Sequence, residues 1–189
     1  MTAPRDPIKP QPPTSGSAVR CAVLTISDRA SRGEQIDRSG PEIARILTAW
    51  GWPPEVAEII PDEEGLIAAR LADLADAGID LVVTTGGTGL SPRDRTPDAT
   101  LRVADRLVPG IMEAVRARTG GAFPRAYLSR GIAALRGRAL LVNLPGSPRG
   151  AVESMEALAD LLPHALEVVR EDPAAGGAHP PGPEPAQDR

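Results

Sequence analysis

Aromatic side chains are almost missing from this chain: one Phe, one Tyr and two Trp make up 2% of its 189 residues. With apolar residues at 41%, one sizeable core is possible, but Ala, Leu, Val and Ile must fill it. A single cysteine, Cys21, excludes an internal disulfide. It lies in the apolar run VRCAVLTIS and reads as a small buried hydrophobe rather than a nucleophile. The two histidines, His164 and His179, fall in a late helical stretch and in a Pro-rich end. Neither can pair with a serine or cysteine at a shared site, and no Cys/His cluster suggests zinc. Lysine is reduced to Lys9, so basic charge is arginine, and the net charge of −4 weighs against a nucleic-acid partner. No apolar run approaches the ~18 residues of a membrane span. The first residues, MTAPRDPIKPQPPTSGS, lack the apolar stretch of a signal peptide. The expectation is a soluble cytoplasmic protein.

What is present is a regular alternation. Residues 1–17 and 172–189 are rich in Pro, Gly and Ala and read as disordered tails around one domain at 18–171. Within it, 19–27 is a continuous apolar run, the mark of a strand buried on both faces. Ser39 and Pro41 open a helix that Gly51 ends. A strand follows at 55–60. Asp62 can cap the next helix, which ends at Gly78, and 80–85 is a third buried strand. Helices are predicted at 96–107 and 109–119. The two apolar runs around Gly137, over 131–143, suggest a hairpin or a turn between strands. Ser147 and Pro148 start a helix, and Pro163 is expected to split it from a last one. This order predicts an α/β fold, a three-layer αβα sandwich with a mostly parallel central sheet.

Ligands on such sheets bind at the carboxyl ends of the strands. There the chain places SDRASRGEQIDRSG, PDEE, GGTGLSPRDRTPDAT and LPGSPRG. Gly86, Gly87 and Gly89 let backbone approach a ligand and turn N–H groups toward it, as phosphate loops do. The stretch is neither a Walker A motif nor a dinucleotide fingerprint, and alone it could be a tight turn. Asp62 and Asp94 lie beside it, a pair suited to Mg²⁺ shared with phosphate oxygens and water. Asp62 could instead cap a helix, and Asp94 could simply pair with Arg93 or Arg95. Thr96-Pro97 and Ser147-Pro148 begin helices whose N-termini favour anions. Without a protein nucleophile or a histidine base, phosphoryl or nucleotidyl transfer fits best: an attacking phosphate is already ionised, and catalysis becomes positioning and charge neutralisation.

Three motifs, LTISDRASRG, TTGGTGLSPRDRTPDAT and LVNLPGSPRGAVE, together resemble the molybdopterin adenylyltransferases of molybdenum cofactor biosynthesis. These are the MogA/MoaB group, to which the gephyrin and plant G domains are similar. The resemblance spans about 19–170. It implies the three-layer fold, commonly as a homotrimer, and the reaction of Mg²⁺-ATP with molybdopterin to give adenylyl-molybdopterin and pyrophosphate. It implies functional aspartates at Asp62 and Asp94, linked to metal and phosphate handling. The nucleotide and pterin cradle would run from Thr85 through Gly86, Gly87, Thr88 and Gly89 to the Thr96-Pro97 helix start. Ser27 and Asp28 would form the first rim loop, and Asn143, Leu144, Pro145, Gly146 and Ser147 the last. A separate protein would then insert molybdenum. Two other readings use the same scaffold: a non-catalytic molybdopterin carrier, and an assembly module with an empty rim. The Trp50-Gly51-Trp52 pair either joins an interface or covers a helix end, and the second is favoured.

Overall fold

The computed structural model describes residues 19–170. The expected tails at 1–17 and 172–189 lie outside the described residues. The strands are β1 (Cys21–Ile26), β2 (Val56–Ile60), β3 (Leu81–Thr85), β4 (Arg106–Leu107), β5 (Ala133–Arg136) and β6 (Ala139–Leu144). The helices are α1 (Asp28–Ser31), α2 (Ser39–Ala49), α3 (Glu64–Asp76), α4 (Thr96–Val103), α5 (Pro109–Gly120), α6 (Pro148–Leu158) and α7 (Leu162–Arg170), with a 3-10 turn at Pro124–Leu128.

The sheet runs β2-β1-β3-β6-β5-β4. Its first four strands are parallel, and β5 and β4 continue it antiparallel. β1, β3 and β6 are buried throughout, as their unbroken apolar sequences require, whereas β2 at the edge alternates between half-buried and exposed. Residue parity sorts the core into two layers. Cys21, Val23, Leu81, Val83, Leu140 and Val142 face α2, α5, α6 and α7. Ala22, Leu24, Ile26, Val82 and Leu141 face α3 and α4. The three-layer αβα expectation is met.

Several elements differ from the sequence reading. The helix expected to continue to Leu107 stops at Val103, and Arg106–Leu107 instead pair with β5. The main chain of this stretch is claimed by β5 on both sides: Asp105 N–H donates to Leu135 O (2.8 Å) and Val108 N–H to Ala133 O (2.8 Å). The short helix α1 falls where a loop was expected, with the Ser27 hydroxyl accepting from Ala30 N–H (3.2 Å). The last two helices separate at 159–161, and Pro163 sits in the first turn of α7, where its missing N–H is harmless. Asp62 caps no helix; α3 begins after Glu63. Ser39 begins α2 after Arg38 at the cap position, and the acceptor for its first N–H groups is Asp37, whose Oδ1 accepts from Ser39 (2.9 Å) and Gly40 (3.1 Å). Trp50 and Trp52 are both buried, edge to face with ring centres 5.8 Å apart, so they close the end of α2. Cys21 is inert: burial pushes its thiol up to about 12.

One polar cluster interrupts this apolar interior. Asn143, fully buried in β6, donates to the hydroxyls of Thr84 (3.1 Å) and Thr100 (3.0 Å) and accepts from Ile132 N–H (3.3 Å). It therefore joins β3, α4 and the start of the β5–β6 hairpin. Asn143→Ala removes three hydrogen bonds from this cluster and leaves a void. It is expected to destabilise the fold by about 2–4 kcal/mol, read as a lower urea midpoint with an unchanged slope.

Candidate functional site

Because β2, β1, β3 and β6 are parallel and in register (Ile26 beside Ile60, Thr25 beside Thr85, Thr85 beside Leu144), their carboxyl ends form one rim. The loops after them meet there. Asp28 and Asp62 bind each other reciprocally: Asp28 N–H donates to Asp62 Oδ2 (2.9 Å), and Asp62 N–H donates to Asp28 Oδ1 (3.0 Å). This locks the loop after β1 to the loop after β2. Arg93 reaches over to pair with Asp28. Its guanidinium, helped by the Asp62 backbone, holds the Asp28 carboxyl below the usual aspartate range. Asp62 is shifted the other way. Burial pushes its carboxyl up, and the neighbouring charges of Asp28 and Asp94 add to the effect.

The glycine loop is fixed by close contacts. Gly86 (φ 106°) and Gly87 (φ 62°) are left-handed. A Cβ on Gly86 would lie 2.2 Å from Ile26 O, and one on Gly87 would lie 2.3 Å from Thr96 Oγ1 and 3.0 Å from Asp62 Oδ1. The loop carbonyls are each drawn to a protein donor. Thr96 Oγ1 donates to Gly86 O (2.8 Å) and Thr96 N–H to Gly87 O (3.1 Å). Arg130 N–H donates to Thr88 O (2.8 Å) and Arg130 Nε to Gly89 O (3.0 Å). A trans peptide carries its C=O and N–H on opposite sides. Engaging these carbonyls therefore turns the following N–H groups the other way. Among the described residues, the N–H groups of Gly87, Thr88 and Gly89 meet no protein acceptor.

Two cavities open on this loop. One, about 540 Å³, is walled by Met112, Val115, Phe123 and Leu128, with Arg116, Arg125 and Arg149. The other, about 620 Å³, is lined by Ser27, Asp37, Ser39, Asp62, Thr85 and Gly86. They share Gly87, Asp94 and Gly146. Of the residues expected at the site, Thr88, Gly89, Pro145 and Ser147 also line the first cavity. Asp28, Thr96, Pro97, Asn143 and Leu144 line neither; Thr96, Pro97, Asn143 and Leu144 are buried behind the rim. Thr96 spends both its N–H and its hydroxyl on the glycine loop, and Pro97 has no N–H to offer, so this helix start braces the loop. Asp94 holds its own turn, its Oδ2 accepting from Ser91 N–H (2.8 Å).

Three groups escaped the sequence reading. Asp37 was hidden because Ser39 looked like the cap; its second oxygen accepts from the Thr25 hydroxyl (2.6 Å) inside the 620 Å³ cavity. Phe123, with Arg149 stacked at 5.2 Å over its ring, sits in a stretch without periodicity. Arg130 precedes the hairpin, and Gly131 beside it was the available signal: a Cβ there would lie 2.6 Å from Asn143 O.

Among the described residues, no group of three or more His, Cys, Asp or Glu side chains is placed to hold a metal ion. Asp62 and Asp94 nevertheless suit a Mg²⁺ that shares its sphere with phosphate and water. Both line the same cavity, each crowds a glycine of the loop, and the partly desolvated Asp62 carboxylate makes no salt bridge of its own, Arg93 being paired with Asp28.

A doubly wound α/β sheet with a glycine anion loop and two carboxylates at its carboxyl rim defines a phosphate-handling domain of the nucleotidyl-transfer type. Residues 22–164 match the family described as "Probable molybdopterin binding domain", and the chain belongs to that family. It is 42% identical over 147 residues to the molybdopterin adenylyltransferase of Escherichia coli K12, covering 76% of this chain and 75% of that protein. A bifunctional molybdenum cofactor biosynthesis protein of Synechococcus elongatus is 37% identical over 159 residues, covering 84% of this chain and 50% of that one. Among solved structures, the molybdopterin biosynthesis enzyme MoaB of Thermus thermophilus superposes with a TM-score of 0.74 at 49% identity, covering 80% of this chain and 96% of that one.

The strained charge of Asp62 can be measured. Because its carboxyl is shifted upward, the folded protein binds that proton more tightly than the unfolded chain does. Ionised Asp62 therefore costs stability above its folded pKa. Asp62→Asn keeps an oxygen for Asp28 N–H and removes the charge. It is expected to raise the melting temperature at pH 7 by a few degrees, a gain that disappears as pH falls below about 4.

Proposed function

We propose that the chain adenylylates molybdopterin: the terminal phosphate of molybdopterin attacks the α-phosphorus of ATP, and pyrophosphate leaves. The observation that carries this is the junction of two substrate-sized cavities at Gly87, Asp94 and Gly146, where unpaired backbone N–H groups meet Asp94, with Asp62 beside them in the 620 Å³ cavity. One substrate occupies each cavity and the reacting phosphates meet at the junction. The attacking phosphate is ionised at neutral pH, so the lack of a histidine base is no obstacle. The N–H groups of Gly87, Thr88 and Gly89 take charge that develops on the phosphate oxygens. Asp62 and Asp94 would hold a Mg²⁺, which supplies further neutralisation of phosphate charge when bound. Arg125 and Arg149 in the first cavity suit an anionic substrate end.

The same reading makes the protein a cytoplasmic homotrimer that passes its product to a separate molybdenum-inserting protein. No helix among the described residues is long and apolar enough to cross a membrane. The edge strand β2, with Ile59 43% exposed, supports contact between copies. The bifunctional relative, half of whose length this chain matches, supports a companion activity carried elsewhere.

Incubation with molybdopterin, ATP and Mg²⁺ should yield adenylyl-molybdopterin and pyrophosphate. Molybdopterin binding without any adenylylated product, using folded protein, would favour a carrier and overturn the transferase. Asp94→Asn retains an acceptor for Ser91 N–H but loses the charge. It should lower kcat roughly 100-fold or more while leaving the melting temperature within about 3 °C.

A further inference from the structure

Arg130 touches the glycine loop from behind. It lines neither of the two large cavities but a shallow hollow on the other side of the loop, beside Leu90, Ser91 and Asp94. Its Nε donates to Gly89 O (3.0 Å) and its Nη2 to Asp94 O (2.6 Å). Both Nη atoms also reach Asp98 on α4, at 2.8 and 3.3 Å. One rigid guanidinium thus spans the glycine end of the loop, the backbone of the carboxylate at its far end, and the helix that follows. A lysine could not hold all three, because an ammonium has no fixed fork.

We infer that Arg130 is a positioning residue for the transfer reaction: its guanidinium fixes the plane of the Gly89–Leu90 peptide, and with it the Leu90 N–H, and the place of Asp94, so that this N–H and the carboxylate face the same cavity. This rests on the transfer reading above. The direction follows from the planar peptide, since a carbonyl drawn toward Arg130 turns the next N–H away from it. The span matters because Asp94 is otherwise held only within its own turn, by Ser91. Without the guanidinium the two halves of the loop move independently, and small misplacements of reacting groups cost large factors in rate.

The inference is tested in the full chain with Arg130→Met, Arg130→Lys and Asp98→Asn, by two readouts. Hydrogen exchange over 86–95 in the ligand-free protein, read at the bonded Ser91 and Asp94 amides, should speed up about 10-fold in Arg130→Met while the strands are unchanged. In the adenylylation assay kcat should fall about 10- to 100-fold, with KM for molybdopterin within about 3-fold. Arg130→Lys should fall between, and Asp98→Asn, which keeps both loop bonds, should stay within about 3-fold of the parent in kcat. Parental exchange and kcat in Arg130→Met overturn the inference, as does Asp98→Asn matching Arg130→Met on both. If Arg130→Met fails to fold, parental behaviour of Arg130→Lys overturns it instead. Were the parent to form no product, the transfer reading would fail by itself, and unchanged exchange over 86–95 would still count against Arg130.

Discussion

The rim depends on backbone carbonyls that are turned away from it. Those of Gly86 and Gly87 go to Thr96, and those of Thr88 and Gly89 go to Arg130. Loose glycine backbone would present carbonyls and N–H groups to a ligand indifferently, and an anion would meet as much repulsion as attraction. Fastening one side of each peptide removes that ambiguity before any substrate arrives, and such preorganisation makes fixed dipoles effective in a site. The glycines are needed for room as well as freedom, since side chains at 86 and 87 would collide with Ile26 O and Thr96 Oγ1.

Charge is arranged on the same principle. Of the three aspartates around the junction, Asp28 is neutralised by Arg93, and its role is to bind Asp62 in place. That leaves Asp62 and Asp94 facing the cavities without a direct arginine salt bridge among the described residues. An open carboxylate in a partly desolvated place is unfavourable in the empty protein, and a cationic ligand relieves it. Cost in the free state and affinity in the bound state have one origin.

The fold was largely legible because its signals are local. Buried apolar strands, a Gly at each turn and Pro at helix starts place β1, β3, α3, α5 and α6 within a few residues. The boundary at Val103 was not legible, since the pull of β5 on Asp105 and Val108 comes from residues far along the chain, Leu135 and Ala133. The site was legible by class and less so by role. Glycines and aspartates on the rim announced phosphate chemistry, but Asn143 and Thr96 look like ligand contacts in a motif and are wholly buried. Short sequence motifs record what must lie near a ligand, and half of that is the scaffold behind it. Arg130 belongs to the scaffold and is marked only by the adjacent Gly131, because apart from Asp98 its partners are backbone atoms whose identity leaves no trace in the sequence. Arg93, whose role was left open by its position beside Asp94, finds its partner on another loop.

The lone thiol has a practical side. Cys21 lies at the base of β1, fully buried, with its proton held well above neutral pH and its sulfur donating to Trp52 O. Maleimides and other thiolate-seeking reagents therefore find no target in the native molecule. A second cysteine placed on the surface near the cavities would react alone, without first engineering the original one away. A single fluorophore or spin label could in this way follow loop motion around the junction in otherwise unmodified protein.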